Sequence, residues 1–347
     1  MDDERPAATR EEIRMRAEAA GLGRVAEAVA DLARPGLRLV AEDASRRAPD
    51  PGKALGEHPP LSEILRASRA APGRTRLGGV PLVGEGFSWP RRARTRERYG
   101  DRIRAGTPLA FIAQVNLAEM PPADPSGGLR DLPRSGMLLF FCDEESLPYG
   151  HPEDSDAFSV VYLPLDPDDT RMRLADVPDG LVTFSDHGGQ WGMPDVVVLE
   201  ALPELALPGP YPDEVRAMDL SEAESDAYWH LAEELEREGA HLPADVAETP
   251  GPANYPPIHR LGGVPHEIQN PMQAECELAR RGEDPHAPPY SRLEEEAKAR
   301  WRLLLQVDSD DAAGMMWGDA GMLYYWIRDD DLAARRFDRA WCVMQCY

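Results

Sequence analysis

An α+β protein built on an internally duplicated β-rich unit is the fold class this sequence predicts. Three observations lead there. Apolar runs of strand length are separated by clusters of Pro, Gly and Asp. The helical segments do not alternate with those runs in the βαβ rhythm of a doubly wound sheet. The hexapeptide Arg76-Leu77-Gly78-Gly79-Val80-Pro81 recurs identically as Arg260-Leu261-Gly262-Gly263-Val264-Pro265. Two looser echoes follow in the same order: the apolar run ending Gln114-Val115-Asn116 matches the one ending Gln306-Val307-Asp308, and Gly136-Met137-Leu138 matches Gly321-Met322-Leu323. The offsets are 184, 192 and 185 residues. Collinear blocks at nearly one offset predict two similar sheets related by a pseudo-twofold, with helices packed outside and an extra N-terminal helix.

The elements follow in chain order. Thr9 and Glu12 form a capping box, and Ile13, Ala17, Ala20, Val25, Val29 and Leu32 make a loose helical stripe. Gly21 and Gly23 weaken its middle, and Pro35-Gly36 closes it. A short strand is expected at 37–41. Residues 44–75, rich in Pro, Ala, Gly and Arg, read as a connection holding one short helix at 61–69. Strands are expected at 109–115, 136–142, 157–163, 181–184 and 196–202. Ser221, boxed by Glu224, opens a helix with Tyr228, Leu231 and Leu235 inward. Asn270-Pro271 opens another, and Ser291 with Glu294 a third. Strands at 302–307 and 322–327, a short helix near Asp330 and a last strand at 340–346 complete the chain. The expected organisation is an N-terminal helix and connection over 1–75, a first half over 76–210 and a second over 211–347.

A chain of 347 residues can bury a sizeable core without disulfides. Its 62 acidic against 38 basic residues leave a net charge of −24, which argues against nucleic acid and anionic membrane as partners. The N-terminus is polar and acidic, unlike a signal peptide. The longest apolar runs fall far short of the ~18 residues of a membrane helix, so no membrane association is expected. Cys142, Cys276, Cys342 and Cys346 form no Cys-x-x-Cys pair, which fits a reducing, cytoplasmic setting.

The blocks LGGVPLVGEGFSWP, PLAFIAQVNLAEMP and LPRSGMLLFF, then WRLLLQVDSDD, MMWGDAGMLYYWI, DLAARRF and the final VMQCY, resemble the YwqG-like family of bacteria and protists, whose function is unknown. The resemblance covers roughly residues 76 to 347. The sequence departs from the family pattern in the Arg-rich stretch after Trp89-Pro90 and in its extended N-terminal helix. The resemblance implies a fold and a duplicated sheet, and no reaction.

Among candidate sites, Asp308, Asp310 and Asp319 occupy positions 1, 3 and 12 of an EF-hand count, oxygen ligands suited to Ca²⁺ or Mg²⁺. Position 5 is Ala312 and position 6 is Ala313, so the count is incomplete, and an acidic turn capping backbone N–H groups is the other reading. Gln114, Gln306 and Gln345 lie inside apolar strands, where a buried amide must satisfy both its O and its NH₂. Such glutamines either fix sheet register or line a polar cleft. Asn116 and Asp308 sit two residues on and share their faces. Gln114, Asn116, Gln306 and Asp308, with Trp89 and Trp317, are therefore the candidate ligand-binding residues, in a pocket between the two repeat halves.

Other motifs carry less. Gly78-Gly79 and Gly84-x-Gly86 lack the lysine and helix of a phosphate loop. Gly86-Phe87-Ser88-Trp89-Pro90 lacks the closing glycine of a nucleophile elbow. His151, His187, His259 and His266 show no triad spacing. A zinc set of His259, His266 and Cys276 lacks recognised spacing. Seven arginines between Arg91 and Arg104 read as a solvated surface insertion, with an anionic ligand or acidic partner as the alternative. The expected function is a soluble, cytoplasmic binding or interaction module for a protein partner or small molecule. No cofactor is evident beyond the Ca²⁺ or Mg²⁺ candidate. The competing class is a metal-assisted enzyme acting through Asp308, Asp310 and Asp319.

Overall fold

The computed structural model describes residues 8–43, 59–98, 101–121, 129–181, 183–184, 190–191, 193–209, 212–240, 256–285 and 296–347. The Thr9–Glu12 box forms: Thr9 Oγ1 accepts from the Glu12 N–H at 3.2 Å and the Glu12 carboxylate accepts from the Thr9 N–H at 2.6 Å. It starts α1 (Arg10–Ala19), and α2 (Ala26–Leu32) follows after a break at Gly21, where φ is +91°. Pro35-Gly36, expected to close a helix, instead lie inside the first strand, β1 (Arg34–Ala41). Next come α3 (Leu61–Ala70), β2 (Arg76–Leu77), β3 (Ala110–Asn116), β4 (Met137–Cys142), β5 (Phe158–Leu163) and β6 (Val197–Ala206). Then α4 (Asp213–Arg216) and α5 (Glu222–Gly239) lead to β7 (His259–Gly262), α6 (Gln273–Arg281), β8 (Trp301–Asp308), β9 (Met322–Arg328), α7 (Asp329–Ala333) and β10 (Trp341–Gln345). The start expected for a helix at Ser291 lies outside the described residues.

The fold is mixed α+β around a single sheet. Ten strands run in the order β10-β9-β8-β7-β1-β6-β2-β3-β4-β5, and every neighbouring pair is antiparallel. The expectation of two similar sheets is corrected here. Strands β1 and β6 pair with each other over eight residues and bridge the two flanks, β1 through Gly36 and Gly262, β6 through Val197 and Leu77. The sheet curls into a nearly closed barrel, so Phe158 on one edge strand packs edge-to-face on Trp341 of the other, ring centroids 5.3 Å apart. The strand expected at 181–184 shrinks to Thr183–Phe184, paired with Gln190–Trp191 apart from the barrel.

The sequence echoes occupy matching register in the two flanks. Arg76 pairs with Gln114 and Leu77 with Ala113; Arg260 pairs with Gln306 and Leu261 with Leu305. Each flank slips register at the same point, between Phe111 and Ala113 and between Leu303 and Leu305. The glutamines make matching bonds. Gln114 Oε1 accepts from Leu82 N–H and its Nε2 donates to Arg74 O; Gln306 Oε1 accepts from His266 N–H and its Nε2 donates to Ile258 O. Each arginine folds back on its own turn, Arg76 onto the carbonyls of Gly78 and Val80 and Arg260 onto that of Val264. The turns need glycine because Gly78 and Gly262 sit at φ +58° and +70°. Gly36 is required for a different reason: a Cβ there would lie 3.1 Å from Gly263 Cα, where β1 passes the second turn.

Three apolar clusters hold these parts. The largest fills the barrel with side chains from both flanks, among them Ile112, Phe140, Leu304 and Tyr325. A second packs Ile64 of α3 with Trp89, Phe111, Leu139 and Phe141 on the outer face of the first flank. The third packs Ile13, Ala17, Val25 and Val29 of the N-terminal helices against Tyr228, Leu231 and Leu235 of α5.

The arginine stretch also needs correction. Arg91 and Arg94 are exposed, but Arg92 is buried between Asp143 and Asp156, and Arg96 reaches Asp154. Surplus acids elsewhere in the chain draw two of these arginines inward.

Candidate functional site

The outer faces of the two flanks differ. On the first, Met137 is fully buried beneath the α3 cluster. On the second, its counterpart Met322 borders a cavity of about 470 Å³. Helix α5 forms one wall. Its Tyr228, Leu231 and Leu235 face the N-terminal helices, so the neighbouring positions Trp229, Ala232, Glu233 and Glu236, spaced at i, i+3, i+4 and i+7, face the cavity. Pro256-Pro257 and Ile258, entering β7, make a second wall; Asp308 and the following turn make the third.

Behind Glu236 lies a buried charge cluster. Arg38 Nη1 sits 2.6 Å from Glu236 and 3.8 Å from Glu204, while Arg260 pairs with Glu204 and, at 2.7 Å, with Glu236. Two guanidinium and two carboxylate groups balance. Burial alone would raise the Glu236 carboxyl, but Arg260 and Arg38 hold it at about 2. Asp308 has no arginine or lysine at ion-pair distance among the described residues, and Arg38 and His259 act on it only from farther off. Its Oδ2 accepts the Ile258 N–H at 2.8 Å, and burial pushes its carboxyl up to about 6. Burial also lowers His266.

His259 is locked in place. The Asp308 N–H donates to Nδ1 at 3.1 Å, which leaves Nε2 as the protonated nitrogen of a neutral ring, donating to Asp310 Oδ2 at 3.1 Å. Both ring nitrogens are engaged, so this histidine orients the turn and presents no free lone pair to a substrate. Ser309 is likewise occupied, its Oγ donating to Gly321 O and accepting the Trp317 N–H.

The candidate residues read from the sequence are distributed as follows. Asp308 and Asp310 border the cavity. Gln306 lies beneath it, spent on the His266 N–H and Ile258 O, and the Trp317 indole donates to Asp308 O at 3.1 Å. Gln114, Asn116 and Trp89 belong to the other flank. The Asn116 amide donates to Gly73 O and its Oδ1 accepts the Ala118 N–H, while Trp89 donates to Leu109 O. Asp319 is exposed, and no three His, Cys, Asp or Glu side chains among the described residues gather as a metal-holding group. Sequence reasoning missed Trp229, Glu236 and Arg260 as parts of a site. Trp229 did leave a signal, an indole beside the inward Tyr228 that the stripe facing the N-terminal helices does not use.

A second set of acids, close in sequence, gives a pH prediction. Glu267 is buried and its Oε2 has no hydrogen-bond partner among the described residues; burial pushes its carboxyl to about 8. Burial raises Glu275 to about 7. A carboxyl raised in the folded state is proton-neutral toward stability below the unfolded value of 4.5 and increasingly penalises folding as pH climbs to the folded value. Glu267→Gln should therefore gain melting temperature over the parent by an amount that widens from pH 5 to pH 8 and then levels. A gap that stays constant across that range would show that Glu267 is already ionised in the fold.

No helix among the described residues is long and apolar enough to cross a membrane. Comparison with curated proteins gives no match. Residues 75–346 match the family described as a domain of unknown function, DUF1963, a span that takes in both flanks of the barrel, β6 between them, and every described cavity-lining residue except Tyr347, while leaving out β1 and the first three helices. The chain belongs to the DUF1963 family.

Proposed function

We propose that the protein is a binding module whose ligand site is the cavity on the outer face of the second flank. The contrast between flanks carries this reading. The same scaffold, with the same register, glutamine bonds and arginine-held turn, is sealed on one side by Ile64, Trp89 and Phe141 and left open on the other. At matching positions Asn116 and Asp308 both bond backbone groups, but Asp308 also borders an aromatic-walled space. Duplication of one four-strand unit about a pseudo-twofold, as the YwqG-like resemblance implies, accounts for the shared parts. Divergence of one copy accounts for the opening. Mostly apolar walls with a few convergent polar groups are the usual make-up of small-molecule sites.

Methyl NMR on ¹³C-methionine-labelled protein tests the reading. Members of a chemically mixed fragment set should shift the Met316 and Met322 resonances, assigned by Met→Leu variants, and Trp229→Ala should abolish those shifts. Shifts that cluster at methionines remote from the cavity, or none from any fragment, would discard it.

A further inference from the structure

Resting on that reading of the cavity, we propose that its occupant presents a cationic nitrogen, an ammonium or guanidinium, on an apolar stem. The argument begins with charge. Glu233, Asp308 and Asp310 line the space, and no lysine or arginine is among its described lining residues. The nearest guanidinium groups, Arg38 and Arg260, are held by Glu204 and Glu236 behind the wall, so their charge is already matched. Asp308 accepts the Ile258 N–H, is also favoured by the Ser309 N–H, and among the described residues has no arginine or lysine at ion-pair distance. Burial disfavours its ionised form more than the distant Arg38 and His259 favour it, and a cation entering the cavity would add counter-charge at close range. An anionic ligand would face carboxylates on the described walls.

The remaining walls fit the stem and the charge. Met316, Met322, Leu207 and Pro256 offer apolar surface along which methylene groups can lie. Trp229 is 37% exposed and stands at the cavity wall. An indole face beside carboxylates is a favourable setting for a cation, through ring quadrupole and ion pairing together. A free alkylamine and the side chain of a lysine or arginine in a peptide share this chemistry.

Hexylamine, hexan-1-ol and hexanoate are the probes, titrated into the full chain at pH 7.5 with the Met316 and Met322 methyls as readout. Hexylamine should bind at least about tenfold more tightly than hexanol, the scale expected for one charge-assisted contact, and hexanoate should not bind. Asp308→Asn keeps an acceptor for the Ile258 N–H and should reduce hexylamine affinity about tenfold with hexanol unchanged. Glu233→Gln, on the outer helix, gives a second variant should the first not fold, with the same sign of effect. Equal affinity for amine and alcohol would overturn the cationic assignment and leave the cavity reading intact. Binding by no probe and no fragment would remove the cavity reading itself. Blocked lysine amide and a blocked Lys-containing tripeptide form the last arm: tighter binding of the tripeptide assigns the source to a protein side chain, weaker binding to a free amine.

Discussion

Arg260→Met is expected to lower the unfolding free energy by about 3–5 kcal/mol, the usual cost of leaving buried charge without its partner. Arg260 is fully buried and contacts both Glu204 and Glu236, and it also holds the Val264 carbonyl of its own turn. Without it, Arg38 alone faces two carboxylates, one of them at 3.8 Å. The matching substitution in the first flank gives an internal comparison. Arg76 is equally buried and holds its turn through the Gly78 and Val80 carbonyls, yet among the described residues it pairs with no carboxylate, and burial pulls its guanidinium down to about 9. Arg76→Met removes a costly buried charge and leaves neutral carbonyls unpaired, a penalty of about 1–3 kcal/mol. Urea unfolding followed by circular dichroism should place the Arg260→Met midpoint well below that of Arg76→Met at similar slopes. Equal midpoints would mean that the four-residue charge cluster adds nothing beyond the turn.

That contrast shows what one sequence can and cannot disclose. The repeated hexapeptide was visible because the arginine serves its own turn two to four residues away, a local relation that keeps its spacing. The same holds for the Thr9–Glu12 and Ser221–Glu224 boxes, which both form where their spacing placed them. Gln114 and Gln306 were recognisable as buried amides, and the bonds they make belong to register. By contrast, the charge cluster draws on residues 38, 204, 236 and 260, which meet only because β1, β6, α5 and β7 become neighbours in the barrel. No spacing along the chain encodes that meeting. For the same reason two similar sheets were expected where one continuous ten-strand sheet holds both flanks. The echoes identify the flanks, but nothing in them states that β1 and β6 insert between and join them. Asp308 was singled out for sharing a strand face with Gln306 and for carboxylate density with Asp310 and Asp319, whereas its setting in the fold comes from α5 and Trp229, eighty residues upstream in round terms.

Arg92→Ser should cost about 3–5 kcal/mol, while Arg94→Ser, two residues on, should stay within about 0.5 kcal/mol of the parent. Like charges crowded in sequence favour exposure, and on that basis the stretch was expected to be a solvated surface insertion. The fold separates them. Arg92 Nε lies 3.2 Å from Asp143 and Nη1 3.0 Å from Asp156, at contact but without hydrogen-bond alignment, so its hold is chiefly Coulombic. Asp156 also accepts the Ala93 and Arg94 N–H groups, and Asp143 accepts those of Glu145 and Ser146, so both acids are committed to backbone that cannot move away. Burial pushes the Asp143 carboxyl up even with Arg92 beside it. Removing the cation must push it further, so the variant gains stability relative to the parent whenever a proton can replace the lost charge. The sign follows: a carboxyl raised in the folded state destabilises above its unfolded value and ceases to do so as pH falls. The gap between Arg92→Ser and Arg94→Ser should therefore be widest near pH 8 and narrow toward pH 5, measured as urea midpoints at each pH. A gap that is absent at pH 8 would return Arg92 to the solvent with its neighbours; one that is present but does not narrow on acidification would assign the loss to packing of the arginine stem instead of its charge.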